Sequence, residues 1–244
     1  MNTIIIDSSF DAISILAKGE KGIYSSSFYP LTRQRGRALQ THIEIATKEA
    51  GFLLSECEIV GVPEGPGSFT GLRLAYAAGK AISLASNAKM LAVPTLSMFD
   101  FSQKHYNGAL IAVIDAKREC FYAQVFRDHQ EITPIYDAPI SIFLDKVDLS
   151  EPCMVVGVGT KAFKMDIEKM DASQYIKENT KIDHPFQNMH FIELSQNAMP
   201  GYILDYIMEK KDVIKEVGDW DGPLYVRKSD AERDRDNLAK IDNN

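Results

Sequence analysis

The sequence predicts an α/β protein made of two related halves, and three observations carry that prediction. Residues 1–105 read as three strand-like runs followed by alternating helices and strands, βββαβαβα. A second series of strands begins at Leu110. Both series open on an apolar strand that ends in aspartate, Ile6-Asp7 and Ile114-Asp115. The division that follows is 1–105, 106–226 and a polar tail, 227–244.

The elements follow from their patterns. Residues 3–8, 12–17 and 22–29 are apolar or alternating, and the breaks between them are short enough for hairpin turns. Residues 37–54 place Leu39, Ile43, Ala46 and Ala50 at helical spacing, with Gly51 suited to the end of the helix. A buried strand over 59–63 leads into a glycine-rich turn and a second helix over 71–86. A strand over 90–93 follows, and Pro94 can start a third helix. In the second half, 110–115 reads as a central strand, with further strands over 120–126, 132–136 and 154–158. Residues 194–210 read as a helix broken at Pro200-Gly201. From Arg227 onward the chain is almost wholly polar, which predicts a peripheral tail.

Composition bounds the function. The chain has 244 residues, 45% hydrophobic and 25% charged, the balance of a globular protein able to bury a sizeable core. With 27 Lys+Arg against 34 Asp+Glu, the net charge of −7 argues against broad salt-driven nucleic-acid binding. Three separated cysteines, Cys57, Cys120 and Cys153, form no CxxC pair and fit a reducing compartment. The first apolar run lacks a basic leader, and no run approaches the ~18–20 residues of a membrane span. We expect a cytoplasmic protein with no membrane association. None of the five histidines stands in a metal-ligand motif, so neither a metal site nor a catalytic residue is predicted.

Two stretches can carry function. In Gly65-Pro66-Gly67-Ser68-Phe69-Thr70-Gly71-Leu72-Arg73 a strand enters, a helix leaves, and Ser68 and Thr70 are suited to capping it. The turn reads either as a tight structural connection or as an anion cradle at a helix N-terminus. In the helix that follows, Gly71, Ala75, Gly79 and Ser83 recur every four residues, and Ala77, Ala81 and Ala85 add a second small row. Such a stripe serves either packing on the chain's own sheet or a helix-to-helix interface with another subunit. On the interface reading, a bulky residue at Gly79 weakens association and leaves the monomer folded. Arg33, Arg35 and Arg37 make a basic cluster in an acidic chain, either a solvated loop or a contact for phosphate or an acidic partner.

The Gly65–Arg73 stretch resembles the signature of the TsaB (YeaZ) family, accessory subunits of the machinery that makes threonylcarbamoyladenosine at position 37 of tRNA. Ile4-Ile5-Ile6-Asp7-Ser8-Ser9 resembles that family's first strand. Ile114-Asp115-Ala116-Lys117-Arg118-Glu119-Cys120-Phe121-Tyr122 resembles its Asp-Ala-Arg-x-x-Glu-Val-Tyr stretch, and Pro223-Leu224-Tyr225-Val226-Arg227 its closing Pro-x-Tyr-x-Arg. The resemblance implies the actin-like ATPase (ASKHA, RNase H-like) fold. It implies a non-catalytic scaffold that pairs with the TsaD paralogue, with the TsaE ATPase in a larger complex, a homodimer in isolation, and tRNA contacted only indirectly. It places the TsaD-docking face on the first two helices, at Leu39, Ile43, Ala46, Gly71, Ala75, Gly79 and Ser83. It marks Asp7, Ser9, Asp115, Gly157 and Gly159 as a vestigial nucleotide site. Neither aspartate loop has the glycine that lets backbone wrap phosphate, so no cofactor is expected in the isolated chain and nucleotide only in the complex with TsaD. The chain departs from the family at 32–37, where arginines stand in place of a His-Ser pair, and matches loosely over 137–188. The rival reading is an active small-molecule kinase or ATPase of the same fold, using Asp7 and Asp115. An endopeptidase would need a nucleophile–base or metal pair that the sequence does not display.

Overall fold

Thr3–Asp7 (β1), Ile13–Gly19 (β2) and Gly22–Phe28 (β3) form an antiparallel meander, paired Thr3 to Lys18 and Ile13 to Phe28. The structure, a computed structural model, describes residues 1–29, 35–144, 146–148, 151–170 and 186–227. Ile59–Gly65 (β4) and Lys89–Pro94 (β5) add parallel strands on the other side of β1, giving the order β3-β2-β1-β4-β5. Arg35–Ala50 (α1), Phe69–Ser86 (α2) and Thr95–Phe101 (α3) connect them. Gly51 follows α1 at φ 89°, and its N–H bonds back to Thr47.

The second half repeats this plan. Ala109–Asp115 (β6) and Phe121–Arg127 (β7) are antiparallel, while Cys153–Val158 (β10) and Met189–Glu193 (β11) are parallel additions beside β6. Gln130–Glu131 (β8) and Tyr136–Ala138 (β9) both pair with β7, taking the place that β3 holds in the first sheet. Ile140–Leu144 (α4), Thr160–Ile167 (α5) and Met199–Lys210 (α6) complete it.

Strand alternation sorts the core into three clusters. On β1, Ile4 and Ile6 point to the face covered by α1 and α2, and Ile5 points inward. On β6, Ala109, Ile111 and Val113 face α4 and α5, while Leu110, Ala112 and Ile114 point inward. The two inner faces meet around Phe99 of α3 and Ile203 and Ile207 of α6, so these helices are packed between the sheets. Apolar burial at ~25 cal/mol per Å² makes this shared cluster a source of cohesion between the halves.

Several expectations are corrected. The strand expected over 132–136 contains Pro134, which cannot donate to a ladder. Pairing stops there, β8 and β9 flank it, and Thr133 bridges the gap by accepting the Val125 N–H on its hydroxyl at 3.0 Å. The helix expected over 194–210 is not broken at Pro200. A 3-10 turn precedes it, and Pro200 sits in the first turn of α6, where its missing N–H costs nothing. Helices α4 and α5 and strand β11 were not foreseen. The boundary at 106–226 also shifts: α6 packs on β1, β2, β4 and β5, and Val217 N–H bonds Met90 O, so residues 199–225 cover the first half. Arg227, assigned to the tail, is part of the fold (below). Arg33 and residues 228–244 lie outside the described residues. No helix among the described residues is long and apolar enough to cross a membrane.

Candidate functional site

Between the halves lies a cleft of about 600 Å³, lined by the loops after β1, β4, β6 and β10 and by residues 224–227. The duplicated topology puts equivalent parts at its two ends. In the first half, Asp7 at the end of β1 is buried, and burial pushes its carboxyl up to about 6. Its Oδ1 accepts the Ser9 N–H at 2.9 Å and the Ser9 hydroxyl at 2.6 Å. In the second half, Asp115 accepts the Lys117 N–H at 2.8 Å and pairs with the Lys117 ammonium at 2.8 Å. Lys117, Arg118 and Glu119 all have φ near 60°, a left-handed turn costing non-glycine residues roughly 1–2 kcal/mol each.

The strand-to-helix turns after β4 and β10 pack against these aspartate loops. Ser68 caps α2 by accepting the Gly71 N–H, and its own N–H donates to Ser9 O at 2.8 Å. The Ser8 hydroxyl donates to Gly71 O at 2.6 Å. A Cβ on Gly71 would collide with the Ser8 carbonyl, and one on Gly67 would lie 2.8 Å from the Ser9 Cβ. Gly67, Ser68 and Gly71 of the GPGSFTGLR stretch thus make internal contacts, while Gly67, Ser68 and Phe69 also line the cleft. After β10, Gly159 (φ 111°) leaves no room for a side chain beside Asp115, and Gly157 none beside the Val113 carbonyl. Glu193, at the end of β11, supplies an anion to the start of α5. Its carboxylate accepts the Gly159 N–H at 3.0 Å, the Thr160 hydroxyl at 2.6 Å and the Lys161 N–H at 3.3 Å. These are the donors a helix N-terminus would offer a phosphate. Asp7, Ser9, Asp115, Gly157 and Gly159 thus line or support one cleft, each engaged with a neighbour in the chain. Sequence reasoning missed Glu193, because nothing local marks a carboxylate whose partners lie 33 residues away.

A strap crosses the same cleft. Leu224 N–H donates to Glu64 O at 2.8 Å, and its carbonyl approaches Gly65 (φ 118°) so closely that a Cβ there would lie 2.6 Å away. Tyr225 packs on Phe69 with ring centres 4.5 Å apart, and its hydroxyl accepts from Arg73 Nε at 3.1 Å. The Arg73 guanidinium also covers Phe69, 4.2 Å from the ring centre. Arg227 then reaches the second half. It grips both Asp137 oxygens, donates to Ala116 O at 2.9 Å and lies over Tyr122. This pairing holds its guanidinium pKa well above the ordinary value.

The predicted partner face is corrected in detail. Gly71, Ala75 and Gly79 are buried against the chain's own sheet, and a Cβ on Gly79 would lie 2.9 Å from Met90 Cε and 3.2 Å from Val62. A bulky residue at Gly79 therefore damages the fold itself, contrary to the sequence expectation. Leu39, Ile43 and Ala46 are likewise buried beneath α1, and Ser83, half-buried, donates to Ala88 O. The outward face of α2 is its second small row: Ala77, Ala81 and Ala85 are exposed, and Leu84 is 89% exposed. Ile45 on α1 is 41% exposed. Arg37 is exposed at the start of α1.

Among the described residues no group of three or more His, Cys, Asp or Glu could hold a metal ion. Burial pushes the Cys57 and Cys153 thiols up to about 11 and about 12, which makes them poor nucleophiles. His129 pairs with Asp100 at 3.0 Å, and His42 stacks on Phe28.

The chain has relatives. A family model described as TsaD, tRNA N6-adenosine threonylcarbamoyltransferase, matches residues 31–194. The chain is 26% identical over 171 residues to the tRNA threonylcarbamoyladenosine biosynthesis protein TsaB of Escherichia coli, covering 67% of this chain and 74% of that one. It is 23% identical over 128 residues to the Bacillus subtilis protein of the same name, covering 48% and 56%, and 22% identical over 206 residues to that of Buchnera aphidicola, covering 81% and 95%. Among solved structures, YeaZ from Pseudomonas aeruginosa superposes with a TM-score of 0.61 at 17% identity, over 92% of this chain and 99% of that chain. A crystal structure described as an uncharacterized protein with similarity to peptidase YeaZ, from the same organism, gives 0.66 at 18%, over 93% and 99%. At these identities the superpositions show a shared fold.

Proposed function

Because the chain belongs to the TsaD, tRNA N6-adenosine threonylcarbamoyltransferase, family and has an actin-like ATPase-type fold, we propose that it serves tRNA threonylcarbamoyladenosine biosynthesis as an accessory subunit of TsaB type. On this reading it docks on a TsaD paralogue and does not perform the transfer itself, and TsaE joins the larger complex. The observation that carries the docking role is the outer face of α2. Ala77, Ala81, Leu84 and Ala85 expose apolar side chains on a low surface flanked by the cations Arg73 and Lys80, and Ile45 of α1 exposes another. Small side chains let a partner helix approach closely, and an uncovered apolar helix face tends to associate. The non-catalytic role is supported by the cleft: Glu193 occupies the α5 donors, Lys117 neutralises Asp115, and Asp7 is turned onto Ser9. The same engagements weigh against the kinase or ATPase reading.

The test is light scattering on the chain mixed with TsaD from the same organism, with Leu84→Glu and Ala81→Glu as probes. Wild type is expected to form a 1:1 or 2:2 species. Each charged variant is expected to remain folded and to weaken association by at least about tenfold, since a desolvated charge costs more than 1.4 kcal/mol. Unchanged association in both variants would overturn the docking face, and no complex at all would overturn the accessory role.

A further inference from the structure

The segment after α6 folds back over the first half and closes a second cavity, of about 300 Å³, away from the interdomain cleft. Its wall is firmly tied. Glu216 bridges to Leu91, Val217 N–H bonds Met90 O, and the Lys80 ammonium donates to the Asp219 and Asp221 carbonyls at 2.6 and 2.7 Å. Opposite lie Glu64 at the end of β4 and Tyr76 on α2, with Ile214 and Val217 among the apolar lining.

Two polar groups there have no hydrogen-bond partner among the described residues. Tyr76 is 5% exposed, and among the described residues its hydroxyl has no hydrogen-bond partner. The charges acting on its phenol are foremost those of Glu64 and Asp221, on the same lining. The Glu64 carboxylate is half-buried and likewise has no hydrogen-bond donor among the described residues. Neither is a sealed buried atom, so both open into the cavity, where a ligand can meet them. The one cation on the lining, Lys215, is engaged with Asp221 at 3.0 Å. The lining carries three acids, Glu64, Asp221 and the exposed Glu216, against Lys215, with the Lys80 ammonium behind the Asp221 carbonyl, so its balance is acidic. The acids form no metal-binding group, and aliphatic walls suit an organic body better than a hydrated ion.

We propose that this cavity binds a small aliphatic ammonium ion, its head donating to the Glu64 carboxylate and the Tyr76 hydroxyl and its chain lying on Ile214 and Val217. The site is independent of the docking face and of the interdomain cleft.

The test is a ligand-observed NMR titration of the full chain with n-hexylammonium at pH 8, with hexanoate as the control of equal tail and opposite charge. The expected result is one saturable site for the ammonium and none for hexanoate. Glu64→Gln, which keeps shape and removes charge, is expected to weaken binding at least about tenfold. Tyr76→Phe is expected to weaken it severalfold, and it carries the test should Glu64→Gln lose the wild-type circular dichroism spectrum. Absence of saturation, which would mean a cavity holding water only, would overturn the proposal. So would equal binding of hexanoate, or variants that bind like wild type.

Discussion

Replacing Arg227 by alanine should unlatch the two halves. The guanidinium makes two bonds to Asp137 and one to Ala116 O, and lies 5.5 Å from the Tyr122 ring centre. Its side chain is 18% exposed and that of Asp137 21%, so solvent replaces little of what is lost. Taking ~2 kcal/mol for the charged pair, ~0.5–1 for the carbonyl bond and ~0.5 for the ring contact, the loss is about 3 kcal/mol. At ~2–4 °C per kcal/mol for a chain of this size, Tm falls by roughly 6–12 °C. Urea unfolding followed by circular dichroism measures the loss, and a cycle with Asp137→Ala isolates the pair, with an expected coupling of ~2 kcal/mol. Arg227→Lys should fall between, because an ammonium cannot reproduce the fork. A loss below ~0.5 kcal/mol, or strict additivity in the cycle, would refute the latch.

Asp7→Asn tests the buried carboxyl. The folded-state pKa of about 6 lies above the ordinary 3.8, so the native state holds the proton more tightly and stability falls as pH rises from about 4 to about 6. The asparagine variant should be more stable by on the order of 2–3 kcal/mol at pH 8 and should converge with wild type near pH 4; parallel stability–pH curves would contradict this. Gly71→Ala should cost more than ~3 kcal/mol, because the new methyl meets the Ser8 carbonyl, and soluble yield with a thermal melt reads it. Glu193→Ala should cost ~1–2 kcal/mol through the uncapped start of α5, with Glu193→Gln milder, and denaturant midpoints distinguish the two.

Legibility in the sequence follows how local each signal is. β1 and β6 are apolar runs ending in aspartate, and α2 is announced by its cap and glycines, so these elements stand within a residue or two of their expected places. The run over 132–136 is apolar enough to read as one strand, but Pro134 within it cannot donate to a ladder and splits it. α4, α5 and β11 are short and lie in or beside the stretch that matches its family loosely. The stripe of Gly71, Ala75 and Gly79 was visible as a stripe, but spacing along one helix does not say on which side the sheet lies. Val62 and Met90 decide that, from other strands. Glu193 and Arg227 act through partners 33 and 90 residues distant, and only the folded chain brings them together.

The return of residues 199–225 onto the first sheet has a consequence for the order of assembly. The inner face of β1, β2, β4 and β5 is roofed by α6, and α2 is stapled by Lys80 to carbonyls 139 residues later. While the chain is being made, that apolar face is covered only by α3 until residues 199–210 have left the ribosome. Completion of the first half therefore waits on contacts of large sequence separation, which form slowly. An N-terminal fragment ending near residue 105 should be sticky and loosely packed, and supplying residues 199–227 in trans should settle it.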